Sequence, residues 1–367
     1  MKILGIVPYR FLPAQIGGQK AIEQLYCSLG KKVPVFVVST QNNDAVAAKH
    51  FSFIPLFNNH LLRYGNFFYL KSISKIVLEH SITHLFTEHP YMGWMALYLK
   101  KRYKISLVVH SHNIESIRFK SLGKKWWRLL WYYERFIYRA ADYVFFITDA
   151  DRQYAIKKYG LSVQKTHTAF YGTEVKEAPL EATRKEAKET ICEALQIGIS
   201  TPLLLFNGSF DYAPNRDALQ ILIEDVVPSL NKKSYSYRLI VCGKNIPQQF
   251  KDKRPKNVTF LDYVDDIFHY NLAADVFLNP VVSGGGIKTK LVEALSAGAN
   301  AVSSKSGAIG VDTAWCNNKL YLAEDGDWHA FEAKIYEAVA NKNLMSEIFY
   351  QHFFIDNIAN NIIEAIN

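Results

Sequence analysis

Short, β-branched, nearly continuous apolar runs recur along the chain in two series. The first holds ILGIV (3–7), VFVVS (35–39), THLFT (83–87), SLVVH (106–110) and YVFFIT (143–148). The second holds PLLLF (202–206), RLIVC (238–242), VTFLD (258–262), DVFLN (275–279) and NAVSS (300–304). A strand with one solvated face alternates polar and apolar residues. A strand covered on both faces does not, so these runs belong in parallel sheets with helices on each side. Helix-length segments such as 19–29, 69–79 and 124–141 separate them. The pattern predicts an α/β protein of two doubly wound, Rossmann-like domains, residues 1–172 and 201–346. Residues 173–200, with EATRKEAKET, read as a polar linker. Ligands of open α/β sheets bind beyond the carboxyl ends of the strands, so two such domains are expected to face each other across a binding cleft.

The 367 residues suffice for two cores, and 49% hydrophobic with 21% charged residues is a globular composition. No run approaches the roughly 18 apolar residues of a membrane span. The opening MKILGIVPYRFLPA reads as a first strand rather than a signal sequence. Cys27, Cys192, Cys242 and Cys316 have no paired spacing, which argues against a disulfide framework or a zinc site and for a cytoplasmic setting. The net charge of +9 points to an anionic partner: a phosphorylated substrate, a membrane surface or nucleic acid. Nucleic acid ranks last, because no binding module for it is recognisable.

The stretch SGGGIKTKLVEALSAGANAVSS (283–304) is not a P-loop. Ile287 separates the glycines from Lys288, and the loop follows the fourth strand of its domain instead of the first. Gly284, Gly285 and Gly286 still offer unhindered backbone N–H groups at the start of a helix expected over 289–297, with Lys288 and Lys290 adding charge. This is read as a phosphate cradle, since a glycine triplet costs backbone entropy. Gly17-Gly18 follows the first strand and opens a helix. It is either an anion site or a tight turn. TDADR (148–152) reads as a helix cap from Thr148 to Asp151, with no metal expected. His112, in VVHSHNIES (108–116), ends a strand and either meets a ligand or is satisfied by its neighbours. Gly208 and Ser209 make a turn after the first strand of the second domain, with Asn215 as a candidate cap for the next helix. Residues 100–139 carry 11 Lys/Arg against two Asp/Glu, interleaved with aromatics. On a helical projection Leu129, Tyr133, Phe136, Ile137 and Ala140 share one side, and Lys124, Arg128, Arg135 and Arg139 lie on another. The plainer reading packs the apolar side on the sheet. The alternative lays the helix on an anionic membrane surface.

Taken in order, Gly17-Gly18, HNIES (112–116), NGSFDYAPN (207–215) and GGGIKTKLVEALSAGANAV (284–302) resemble the retaining glycosyltransferases of family 4, of GT-B fold. The resemblance covers most of the chain. It implies a metal-independent hexosyltransferase with no cofactor, which takes a nucleotide diphosphate sugar, UDP- or GDP-linked, and hands the sugar to a glycan or lipid-linked acceptor. It also implies work in polysaccharide biosynthesis, in the cytoplasm and peripherally on the membrane. By resemblance, Glu293 meets the ribose, and Gly284, Gly285, Gly286, Ile287, Lys288 and Thr289 meet the diphosphate and donor sugar. Gly208 and Ser209 approach the diphosphate, the backbone near Val264 meets the base, Gly17 and Gly18 lie beside the diphosphate, and His112 and Lys290 are catalytic. The segment 347–367 is expected to pack back on the first domain. Two positions depart from the family pattern. Gly285 stands where many members have a first glutamate, and Asn207-Gly208-Ser209 with Asn215-Arg216 stand where many have an Arg and a Lys. The rival readings are a degenerate nucleotide-sugar binder and an epimerase-like enzyme.

Overall fold

The computed structural model describes residues 1–233, 235–253 and 255–367. The chain divides into two compact units, Met1–Glu174 with Ile355–Asn367, and Val175–Phe354. Among the described residues the first unit has a seven-stranded sheet, β1 (Ile3–Ile6), β2 (Val35–Thr40), β3 (Ser52–Phe57), β4 (His84–Glu88), β5 (Ser106–Ser111), β6 (Tyr143–Phe146) and β7 (Thr166–Thr168), in the order 3-2-1-4-5-6-7. The second has six, β8 (Leu203–Asn207), β9 (Arg238–Cys242), β10 (Val258–Leu261), β11 (Val276–Asn279), β12 (Asn300–Ser304) and β13 (Leu320–Ala323), in the order 10-9-8-11-12-13. Both sheets are parallel, and in both the strand order reverses beside the first strand, the doubly wound arrangement. The central strands are buried along their whole length, as their unbroken apolar runs require.

Helices cover these sheets: α1 (Gly17–Gly30), α2 (Tyr69–Glu79), α3 (Gly93–Tyr103), α4 (Glu115–Ser121), α5 (Trp127–Ala140) and α6 (Asp149–Tyr154) in the first unit. In the second lie α7 (Glu181–Ala194), α8 (Ala213–Ile221), α9 (Val227–Lys232), α10 (Gln248–Lys253), α11 (Ile267–Ala273), α12 (Thr289–Ser296), α13 (Trp328–Ala340) and α14 (Glu347–Phe353). Then α15 (Ile355–Ile366) returns to the first unit. Thr148 caps α6 by accepting from Asp151 N at 3.1 Å. The stretch 181–194 is no free linker. It lies in the second unit, pinned where Arg184 donates to the carbonyls of Leu272 and Ala274 and Lys188 pairs with Asp275 at 2.7 Å. The terminal segment also divides. In α14 Phe349, Tyr350 and Phe353 are buried within the second unit, and the Tyr350 hydroxyl donates to Ser296 O at 3.1 Å. Only α15 joins the first unit, where Ile355, Ile358, Ala359, Ile362 and Ile366 enter the core beside Ile22, Leu25 and Tyr26 of α1.

Candidate functional site

In the second unit, β8, β11 and α12 bring the glycine-rich loop beside the turn after β8. Lys290, in the first turn of α12, points its Nζ back to Asn207 O at 3.0 Å and Asn215 Oδ1 at 2.9 Å, over the face of Phe206 at 4.2 Å. Burial, with help from the charge of Lys288, pushes its pKa down to about 7. Lys288 curls its ammonium under the loop, toward the carbonyls of Gly284 (3.0 Å), Gly285 (3.4 Å) and Gly286 (3.1 Å), and burial pushes it down to about 8. Among the described residues neither lysine pairs with a carboxylate. With carbonyls gathered on Lys288, the loop's N–H groups are left without acceptors: among the described residues none from Gly284 to Lys288 donates to a backbone carbonyl.

Gly284 has φ +84°, and a Cβ there would lie 2.5 Å from the Tyr212 hydroxyl. Gly208 is required for another reason. A Cβ would meet Asn215 Nδ2 at 2.6 Å, and that amide donates to Ser209 O at 2.8 Å. Asn215 therefore lies within α8 and clamps turn and lysine together, where a capping role was expected. Tyr212 precedes the helix instead. Ile287 is buried, Thr289 opens α12, and Glu293 lies half-buried one turn on. Val264 lies in the segment between β10 and α11.

In the first unit, Glu88 ends β4 and is the register partner of His110 on β5. His112 lies two residues further, in the bend just past the end of β5. Glu88 Oε2 meets His110 Nδ1 at 2.9 Å and His112 Nε2 at 2.6 Å, and all three side chains are buried. The three ligand atoms lie within 4.8 Å of one another, a set a divalent cation could use, but both N···O separations are those of hydrogen bonds. The next strand-end groups form a second network. His89 Nδ1 lies 3.4 Å from Glu115 Oε1, and Glu115 Oε2 accepts from Tyr91 and Arg118. Glu134 of α5 accepts from the backbone N–H groups of Glu115 and Ser116, capping α4, and burial raises it to about 7. Gly17 and Gly18 open α1 at the carboxyl end of β1, and nothing lies within 4 Å of where a Gly18 Cβ would be.

Residues 17–175 match the family described as Glycosyltransferase Family 4, and residues 201–341 match Glycosyl transferases group 1. The chain belongs to these glycosyltransferases. No curated protein matches it in sequence. The glycosyltransferase from Rickettsia africae superposes on it with a TM-score of 0.74 at 13% identity, over 100% of this chain and 97% of that one. Sucrose-phosphate synthase from Thermosynechococcus elongatus gives 0.72 at 15%, over 99% and 98%. HepE from Anabaena, in complex with UDP and glucose, gives 0.71 at 16%, over 99% and 98%. These likenesses establish the GT-B fold of this glycosyltransferase.

Lys288, Lys290, Gly208, Ser209 and the glycine loop come together in one unit of the enzyme, at the strand ends where its sheet order reverses. In the other unit Gly18 opens the helix that follows β1, the strand at the order reversal, and His112 follows β5, two strands from β1 in the sheet order. Sequence reasoning missed Glu88. Its signal was an acid closing an otherwise apolar run, FTEHP, level with a histidine on the neighbouring strand.

Proposed function

We propose that this glycosyltransferase moves a hexose from a UDP- or GDP-sugar to a glycan or lipid-linked acceptor, with retention of configuration and without a metal ion or cofactor. The observation that carries this reading is Lys290: a half-buried ammonium facing only neutral oxygens and a ring, beside a loop with free N–H groups. Departure of a nucleoside diphosphate builds negative charge on its oxygens. Preoriented N–H groups, the amino end of α12 and the two lysines supply the charge a metal would otherwise provide. In this reading the second unit meets the diphosphate with Gly208 and Ser209, the ribose with Glu293 and the base with the backbone near Val264, and in the first unit Gly17 and Gly18 are assigned to the diphosphate and His112 to the transferred sugar. Gly285 in place of a glutamate removes a carboxylate from the donor sugar, and the sugar chosen follows from that. HepE, crystallised with UDP-glucose, lends support for a uridine nucleotide.

A thermal-shift series with UDP-, GDP- and ADP-glucose tests the donor. One of them at about 100 times its Kd adds roughly 2.7 kcal/mol of stability. Indifference to all three sinks the reading. Inversion at the anomeric carbon of the product would sink retention alone.

A specific observation favours a second element, contact with an anionic membrane surface. No helix of the described residues is long and apolar enough to cross a membrane. On α5 and the loop before it, however, Leu129 (74% exposed), Tyr132 (65%), Phe136 (62%) and Trp126 (50%) face outward among Lys124, Lys125 and Arg128. The packing differs from the projected one. Leu130, Glu134, Ile137 and Tyr138 turn inward, because the N–H groups of α4 need Glu134 as their acceptor. Both acids of residues 100–139, Glu115 and Glu134, are buried, so neither opposes the cations and apolar groups of this surface.

A further inference from the structure

We infer that Glu88 is the positioning residue that fixes the tautomer of His112, leaving His112 Nδ1 as a hydrogen-bond acceptor for a hydroxyl of the transferred sugar. The inference rests on the reading of His112 given above. One oxygen, Oε2, meets both rings, His112 Nε2 at 2.6 Å and His110 Nδ1 at 2.9 Å, and Oε1 makes no hydrogen bond. An ionised carboxylate can only accept, so both ring nitrogens facing it carry protons. Burial opposes the charge on Glu88, but the two histidines outweigh it and hold the carboxyl well below its usual range. Burial keeps His110 on the neutral side. With the Nε2 proton held toward Glu88, Nδ1 is the ring nitrogen left to carry the lone pair, since the bond made by one ring nitrogen sets the state of the other.

The other groups around the cluster do not compete for that proton. Tyr26 and Tyr9 are buried and pushed up, so they stay neutral. His89, its ring 4.5 Å from that of His112, is held neutral by burial, and its Nδ1 faces Glu115, which Arg118 pairs from the other side. In this arrangement the donor sugar brings a hydroxyl hydrogen to His112 Nδ1.

Long-range proton–nitrogen correlation spectra of the full-length protein, labelled on histidine, read the tautomer directly, with His112 assigned from a His112→Gln variant. The expected wild-type signature is a protonated Nε2 and a bare Nδ1 near neutral pH. A proton on Nδ1 overturns the inference with no variant needed. Glu88→Gln, whose amide can donate to Nε2, is expected to move the proton to Nδ1. It should also cut kcat for UDP release from UDP-glucose about tenfold or more with KM within about threefold, and Glu88→Asp should recover part of it. An unchanged tautomer and kcat in Glu88→Gln overturns the role of Glu88. His112→Ala keeps the two claims apart. Its full activity would remove His112 from the site, whereas its loss beside an indifferent Glu88→Gln would count against Glu88 alone. A wild type that releases no UDP counts against the proposed donor, and the spectra still decide the tautomer.

Discussion

Lys290 carries an ammonium into a place that stabilises it poorly: two neutral oxygens, one aromatic face and a second lysine nearby. The consequence is a pH signature. Its folded pKa, about 7, lies below the ordinary 10.5, so the folded chain binds fewer protons than the unfolded one between these values. Without ligand, this residue's contribution to stability therefore rises with pH from about 7 to 10.5. A diphosphate reverses the local balance by favouring the charged form of Lys290 and of Lys288, which starts near 8. UDP binding is expected to take up protons in this range, and affinity should fall as pH rises from about 7 to 9. Calorimetry at pH 8 in buffers of different ionisation enthalpy measures the uptake, and none would show that the lysines do not meet the phosphates. Lys290→Met should weaken UDP binding by about 10- to 100-fold, the worth of one charge-assisted hydrogen bond.

Helix α5 shows how an element's orientation is decided by a neighbour's needs. A short helix such as α4 begins with unpaired N–H groups, and two of these find Glu134, 18 and 19 residues along the chain. Glu134 turned inward rotates Leu129 and Phe136 outward, where they extend the basic surface. The double variant Leu129→Asp, Phe136→Asp should lower co-sedimentation with phosphatidylglycerol-rich vesicles by about tenfold or more and leave the fold intact, because both positions are exposed. Equal binding by wild type and variant, or wild-type indifference to anionic lipid, would return this face to ordinary solvated surface.

At the scale of the molecule, the first unit is completed by residues far away in the chain. Gly172 lies so close to α15 that a Cβ would come within 2.4 Å of Ile355 Cδ1. Ser28 donates to Asp356, and the carbonyl of Ile366 lies 3.2 Å from His84 Nε2. Ile362, fully buried in this core, is expected to cost about 2–4 kcal/mol on truncation to alanine, read by denaturant unfolding, and a loss below about 1 kcal/mol would show that α15 is only loosely seated. The central strands, both doubly wound series and the glycine loop with its lysines were legible in the chain, because a strand covered on both faces needs an unbroken apolar run and a loop's composition is local. The edge strands β3, β7 and β13 were not: Pro55 interrupts β3, β7 spans three residues, and an edge strand needs no such run. The partners of Lys290, 75 and 83 residues away, and the Glu88–His112 pair, 24 apart, were equally out of reach. Sequence by itself determined the fold class and the glycine loop with its two lysines. Tertiary structure alone decided which side chains meet, and so their charge and protonation, because burial and hydrogen bonding depend on contacts that no local pattern records.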